Sequence, residues 1–154
     1  MDKAIVKKVK SQALDLVEQA GIVLTDDERE GLEIADLGLN DIERIGLEGI
    51  EYVNNDRYCA KEIILLPWQI CPEHRHPKIS DKNIGKKETF RCRWGVVYLY
   101  VSGDAALNPK AKVPEVYREH LHVWHEIILH PGEQYTIQPN GLHWFQAGDD
   151  GAVI

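Results

Sequence analysis

Two histidines separated by a single residue, His74 and His76, are the strongest chemical signal in the sequence. In a β-strand, side chains two positions apart point to the same face, so both imidazoles are expected to converge. Eleven residues intervene before Glu88, which brings a carboxylate, and His143 directly follows the turn-forming stretch 139–142. Three imidazoles and one carboxylate suit Mn, Fe, Co, Ni or Zn and leave coordination positions open for substrate oxygens.

Each of these residues alone has a plainer explanation. An isolated pair of strand histidines is more often a surface or hydrogen-bonded pair than a metal site. Glu88 alone is a solvated charge at a strand end, and His143, beside Trp144 and Phe145, is a hydrogen-bonded core histidine. Only their joint arrangement favours a metal centre. Phe145 shares the strand face of His143, which makes it a candidate for stacking on a bound ligand, although strand aromatics are more often part of the core.

Lys61 is the candidate proton carrier. Alternation along 57–66 places it on the same strand face as Cys59, Ile63 and Leu65, so it points into a barrel if they do. An amine in the same cavity as a metal can exchange protons with a bound substrate. The alternative is a lysine at a strand edge that extends to water.

The elements that must position these side chains follow from hydrophobic periodicity. Apolar residues recur every three to four positions from Asp2 to Gln19, which predicts an amphipathic helix, and Gly21 suits its C-terminal cap. Thr25 and Glu28 form a capping box that predicts a second, short helix.

From about Gly38 the sequence is typical of β-strands separated by turn residues. We predict strands near 44–53, 57–66, 70–76, 87–94, 96–102, 121–129, 134–137 and 143–147, with surface loops at 78–85 and 104–114 and no helix among them. Eight short strands favour a closed barrel or jelly roll. The predicted fold class is therefore all-β with one or two N-terminal helices, in a single domain 1–154 that has a helical segment 1–37 and a barrel 38–154.

Composition excludes several classes of function. The 154 residues, 44% of them apolar, carry a net charge of −7, which leaves no basic surface for nucleic acid. No apolar run approaches the roughly 20 residues that span a bilayer, and the N-terminus lacks a signal-peptide core. We therefore expect no nucleic-acid or membrane partner, a cytoplasmic location, and reduced thiols at Cys59, Cys71 and Cys92.

The spacing of these motifs resembles the cupin superfamily. Glu88 is followed after six residues by Gly95, as in the first cupin motif, and Gly132, Pro139, Gly141 and His143 resemble the second. The resemblance implies a jelly-roll barrel with its metal inside.

Longer segments narrow the resemblance to the cupin-type D-lyxose isomerases. They are Asn54-Asn55-Asp56-Arg57-Tyr58-Cys59-Ala60-Lys61-Glu62, Cys71-Pro72-Glu73-His74-Arg75-His76-Pro77, Glu88-Thr89-Phe90-Arg91-Cys92-Arg93 and His143-Trp144-Phe145-Gln146-Ala147-Gly148. The resemblance implies a Mn²⁺-dependent aldose–ketose isomerase of D-lyxose and D-xylulose, often also of D-mannose and D-fructose, working as a homodimer. Co²⁺, Zn²⁺, Fe²⁺ and Ni²⁺ are alternative ions.

The resemblance also implies residue roles. His74, His76, Glu88 and His143 would be the metal ligands, and Lys61 matches the place of an acid/base lysine. A partner carboxylate is expected on the strand after the His143 segment, past Ile154, with Glu126 as a substitute carrier. Two other functions stay open: an oxygenase using the same ligands, and a sugar-binding protein without catalysis.

Overall fold

The computed structural model describes residues 1–78, 80–81, 84–85 and 87–154 of the chain. Ile79, Lys82 and Asn83, in the loop expected at 78–85, lie outside the described residues. The described residues form three helices, Lys3–Gln19 (α1), Asp26–Glu30 (α2) and Glu115–Arg118 (α3), and nine strands, Glu33–Ala35 (β1), Leu47–Asn54 (β2), Cys59–Leu65 (β3), Ile70–His74 (β4), Glu88–Arg91 (β5), Trp94–Val101 (β6), His125–Leu129 (β7), Gln134–Ile137 (β8) and His143–Val153 (β9). The prediction of a mainly β fold with N-terminal helices is confirmed.

Both N-terminal helices form where their capping residues indicate. Asp2 caps α1 by accepting a hydrogen bond from the Ala4 amide, and the capping box of α2 has both of its bonds, between Thr25 and Glu28. One face of α1 is buried in an apolar cluster with Ile64 of β3 and Val153 of β9. The helix therefore packs its apolar face against the outside of the sheet.

The strands pair antiparallel in two sheets. The larger has the order β1-β2-β3-β9-β6-β7, with β4 also paired to β9, and the smaller joins β5 to β8. The central apolar core contains Ile63 and Leu65 of β3, the odd-numbered residues 97–101 of β6, and Phe145, Ala147 and Ala152 of β9, together with Cys71, Phe90 and residues of β7. Strand β9 is central to the fold, because it pairs with β3, β4 and β6.

A third apolar cluster covers the outer face of the sheet at β6 and β9. The rings of Tyr100 and Trp144 stack with centroids 4.0 Å apart, and Trp124 packs edge-on against both. Glu126 of β7 accepts hydrogen bonds from the Tyr100 hydroxyl and the Lys110 amide, which fixes the loop before α3 against this face.

Four details differ from the predictions. The expectation that no helix lies among the strands is wrong, because α3 forms at Glu115–Arg118. The strand expected from 121 begins only at His125, since the Leu121 amide continues the turn after α3 and its carbonyl accepts a hydrogen bond from the Trp124 ring. Strand β9 continues to Val153 past the turn-like stretch 148–151, and β1 is an additional strand of three residues.

Among the described residues, no helix combines the length and the apolar character that a bilayer crossing demands.

Candidate metal centre

His74 lies at the end of β4 and turns its ring into the barrel. Its Nδ1 donates a hydrogen bond to the Pro72 carbonyl at 2.8 Å. Because a carbonyl only accepts, Nδ1 carries the proton, and the lone pair on Nε2 is free to bind a cation. Burial lowers the pKa of His74 in spite of this hydrogen bond, and the charge of His143 lowers it further. The neutral, ligating form is therefore favoured.

His143 begins β9 and is completely buried. It pairs with His74 across the β4–β9 ladder, and the two ring centroids are 4.2 Å apart. Its Nδ1 donates to the Gly141 carbonyl at 2.9 Å, so its Nε2 also holds a lone pair directed away from the backbone. Gly141 is tightly placed, since a Cβ there would lie 2.7 Å from the Ile137 side chain.

Glu88, the first residue of β5, brings the carboxylate to these imidazoles. Its Oε2 is 2.7 Å from Nε2 of His76 and 3.1 Å from Nε2 of His143. Burial alone would raise the pKa of Glu88, but the close approach of His143 and the charges of the three histidines outweigh it and hold that pKa below its ordinary value. The carboxylate is thus ionised at neutral pH.

The four predicted ligand residues meet at one point. One ligand atom from each of His74, His76, Glu88 and His143 lies within 4.8 Å of the others. The β4–β9 pairing joins His74 to His143, and Glu88 begins β5. The strand predicted to reach residue 76 ends at His74, so His76 lies two residues beyond it and contacts Glu88 from there.

One buried atom shows that these residues fit a cation. Nε2 of His143 is fully buried and has no hydrogen-bond partner, although Oε2 of Glu88 is only 3.1 Å away. Since the Gly141 carbonyl accepts the Nδ1 proton, Nε2 can present a lone pair toward the carboxylate of Glu88. A positive charge between the two atoms, whether a proton or a metal ion, satisfies both of them, so the site fits a cation.

A cleft of about 1300 Å³ opens beside the cluster. His74, His76 and Glu88 form one part of its wall, and Lys61 of β3 forms another. Burial raises the pKa of the Cys71 thiol, and the negative charge of Glu88 raises it further. The positive charge of Lys61 lowers it, so both side chains lie near this thiol. The amine therefore shares the cavity with the cluster, but it is solvent-exposed rather than buried.

Lys61 forms no ion pair with any residue that the structure describes. Its neighbour Glu62 faces the other side of β3 and is paired with Arg93 at 2.6 Å. The Lys61 amine is thus available to a ligand in the cleft.

Two other candidates lie in different surroundings. Phe145 lines the cleft but is only 1% exposed, because it packs beneath Phe90 with ring centroids 4.8 Å apart. Glu126, considered as a second proton carrier, is held on the outer face of the sheet by Tyr100 and Lys110 and does not line the cleft. Sequence reasoning missed Phe90, whose ring also packs edge-on against His143; its position two residues after Glu88 was the available signal.

Curated proteins resemble the chain over its full length. It is 55% identical over 154 residues to a D-lyxose ketol-isomerase of Thermofilum sp., of which it covers 85%. It is 52% identical to a D-lyxose/D-mannose isomerase of Thermosediminibacter oceani, of which it covers 84%, and 48% identical over 148 residues to a D-lyxose ketol-isomerase of Cohnella laeviribosi, of which it covers 81%. No protein-family model matches the chain.

Solved structures share the fold at low sequence identity. The L-ribose isomerase of Cellulomonas parahominis, with L-ribose, has a TM-score of 0.70 at 16% identity, over 99% of this chain and 81% of that one. The enzyme of Acinetobacter sp. has a TM-score of 0.71 at 15% identity, over 99% and 79%. The Drosophila melanogaster CENP-C cupin domain has a TM-score of 0.52 at 11% identity, over 99% and 96%. The likeness to these structures shows the cupin fold.

Proposed function

Because the chain belongs to the D-lyxose ketol-isomerase family of sugar isomerases, we propose that it interconverts D-lyxose and D-xylulose, and also D-mannose and D-fructose. The observation that supports this most strongly is the convergence of His74, His76, Glu88 and His143 at one wall of a cleft that Lys61 also lines. Isomerisation moves a proton between C1 and C2 of an open-chain sugar, and both the cluster and the amine have a use in that transfer.

The four clustered residues would hold a divalent cation, which we propose to be Mn²⁺. Two imidazoles that donate their Nδ1 protons to backbone carbonyls, a third imidazole and an ionised carboxylate suit Mn²⁺, and also Co²⁺, Zn²⁺, Fe²⁺ or Ni²⁺. Bound there, such an ion would stabilise negative charge that develops on two adjacent sugar oxygens during the reaction.

Lys61 is proposed as the acid/base residue. Its amine lines the cleft on the same face of β3 as Ile63, and none of the described residues pairs with it. A sugar whose C1–C2 end lies at the cluster would therefore present its reacting carbon atoms to an amine that is free to accept or donate a proton.

The apolar floor of the cleft would support the carbon chain of the sugar. Phe90 and Phe145 form this floor, where their rings pack edge-on with centroids 4.8 Å apart. The two rings are only 2% and 1% exposed, so in this proposal Phe145 contributes to substrate binding by shaping the floor of the cleft together with Phe90. We further propose that the protein works in the cytoplasm as a homodimer, as the resemblance implies.

The proposed activity is tested with the purified chain, Mn²⁺ and a panel of D-lyxose, D-mannose, D-xylose and L-ribose, with ketose formation as the readout. We expect ketose from D-lyxose and D-mannose, at a rate that falls when the protein is first treated with a chelator and recovers when Mn²⁺ is restored.

Three results would contradict the proposal. Oxygen uptake without ketose would favour an oxygenase, and saturable sugar binding without any product would favour a binding protein. Equal ketose formation by the chelated and the Mn²⁺-supplied protein would rule out a metal-dependent reaction.

A further inference from the structure

The ladder between β4 and β9 is irregular directly beside the histidine cluster. Cys71 pairs with Phe145 and His74 pairs with His143, so β4 takes three residue steps where β9 takes two. The extra residue is a β-bulge at Pro72 and Glu73. Bulges of this kind redirect the side chains that follow them.

The bulge determines how the His74 ring is held. Pro72 has no amide proton to donate to the ladder, and its carbonyl accepts the hydrogen bond from Nδ1 of His74. The direction of Nε2 in His74 therefore depends on where the bulge holds the Pro72 carbonyl. Because the ladder is interrupted there, backbone pairing alone does not fix that position.

Glu73 supplies the missing constraint on the opposite face of β4. Its side chain is only 6% exposed and accepts three hydrogen bonds. The His122 amide and the Val123 amide donate to Oε2 at 2.7 and 2.9 Å, and Nδ1 of His122 donates to Oε1 at 2.7 Å. A buried carboxylate that accepts three hydrogen bonds resists displacement, because a shift would break these bonds and leave its donors without an acceptor.

The same constraint extends to β9. The Val123 carbonyl accepts a hydrogen bond of 2.7 Å from the indole of Trp144, which is fully buried and directly follows His143. A hydrogen-bonded connection on the outer face of the sheet thus joins the residue before His74 to the residue after His143. The two imidazoles lie on the inner face, with their ring centroids 4.2 Å apart.

We propose that Glu73 is a positioning residue for the histidine cluster: by fixing the bulge of β4 to Val123, and through it to Trp144, it sets the direction in which His74 faces His143. The inference rests on the proposed metal site. Residues that orient metal ligands through hydrogen bonds are worth about 10- to 100-fold in metal affinity, and Glu73 acts one step further from the ligand.

The test compares Glu73→Gln with the wild-type chain by measuring Mn²⁺ affinity and the visible absorption spectrum of the Co²⁺-loaded protein. We expect Mn²⁺ affinity to fall about tenfold. We also expect the Co²⁺ spectrum to change, because it reports the arrangement of the ligands and not the stability of the fold. Glutamine keeps the size of the side chain but presents a donor to a site that contains only donors.

Glu126→Gln is the matched control. Glu126 also accepts a backbone amide, that of Lys110, and also fixes a loop to the outer face, but it does not adjoin a histidine of the cluster. Denaturation in urea is measured for both variants. We expect both to lose stability and only Glu73→Gln to change Mn²⁺ affinity and the Co²⁺ spectrum.

Two other outcomes would overturn the positioning role. Unchanged affinity and spectrum in Glu73→Gln, or equal changes in Glu126→Gln, would overturn the positioning role and leave the metal site intact. A wild-type chain that binds neither ion would overturn the metal site itself and this role with it. If Glu73→Gln does not fold, Glu73→Asp decides, because the shorter side chain draws the carboxylate back from the His122 and Val123 amides: weaker Mn²⁺ binding supports the role, and unchanged binding overturns it.

Discussion

Replacing Glu48 with glutamine is expected to make the protein less sensitive to rising pH. Glu48 of β2 is completely buried. Its Oε1 accepts one hydrogen bond, from Nε2 of Gln69 at 3.0 Å, and its Oε2 has no partner among the described residues. Burial raises the pKa of Glu48 to about 8, and the bond from Gln69 only partly offsets this.

The sign and size of the effect follow from proton linkage. Between the unfolded pKa near 4.5 and the folded pKa near 8, the folded chain holds a proton that the unfolded chain releases. The free energy of unfolding therefore falls by about 1.4 kcal/mol for each pH unit over that range. Glutamine resembles the protonated acid and does not titrate. The free energy of unfolding of the variant should match that of the wild type near pH 4.5. The variant's advantage in this free energy should be about 3 kcal/mol larger at pH 7.5 than at pH 5.5.

Urea denaturation at several pH values between 5 and 8.5 measures this difference directly. Titrations of other groups contribute to both proteins and cancel in the comparison. Glu51→Gln, at an exposed position of the same strand, is the control and should give no such divergence. Parallel stability curves for Glu48→Gln and the wild type would show that burial does not suppress ionisation of Glu48, and would refute the reasoning.

The remaining predictions concern the cleft. His74→Ala should abolish measurable Mn²⁺ binding in a titration and ketose formation with it; an active, metal-binding variant would contradict its place in the cluster. Lys61→Ala should bind Mn²⁺ as the wild type does but lower kcat by about 10²- to 10⁴-fold, and full turnover would remove its acid/base role. Gly141→Ala should lower the free energy of unfolding by about 1–3 kcal/mol, because its Cβ would lie 2.7 Å from Ile137, and should weaken Mn²⁺ binding, since the Gly141 carbonyl holds His143. Unchanged urea and Mn²⁺ titrations would show that the Gly141 turn adapts freely.

Local sequence signals predicted most of the elements. The periodicity that ends at Gln19 and the capping box of Thr25 correspond to α1 and α2, and strand β8 was predicted at its observed bounds. Elements that depend on their surroundings were missed. Helix α3 has four residues, too few for a periodic pattern, and Pro114 at its N-cap offers no side-chain hydrogen bond.

Strand β9 shows a second reason for error. The stretch 148–151 contains two glycines and two aspartates and is typical of a turn. In the structure it is a long irregularity within β9, flanked by Ala147 paired with Val97 and Ala152 paired with Gly95. Pairing on both sides keeps the strand extended there, and a local pattern contains no information about its neighbours.

In the candidate site too, local patterns predicted some features, and others depend on contacts between distant strands. Alternation alone placed His74 with His76, and Lys61 with Ile63, on common faces. The approach of Glu88 and His143 to them depends on strand pairings distant in sequence, and it was expected from the family resemblance. The role of the bulge at Glu73 was not predictable, because it requires the register of β4 on β9 and the position of Val123.

The central claim is that one divalent cation binds between four side chains, and anomalous scattering from crystals grown with Mn²⁺ tests it most directly. The account predicts a single strong peak enclosed by the three imidazole Nε2 atoms of His74, His76 and His143 and the carboxylate of Glu88. A protein saturated with Mn²⁺ that shows no peak there, or shows its peak elsewhere, would contradict it.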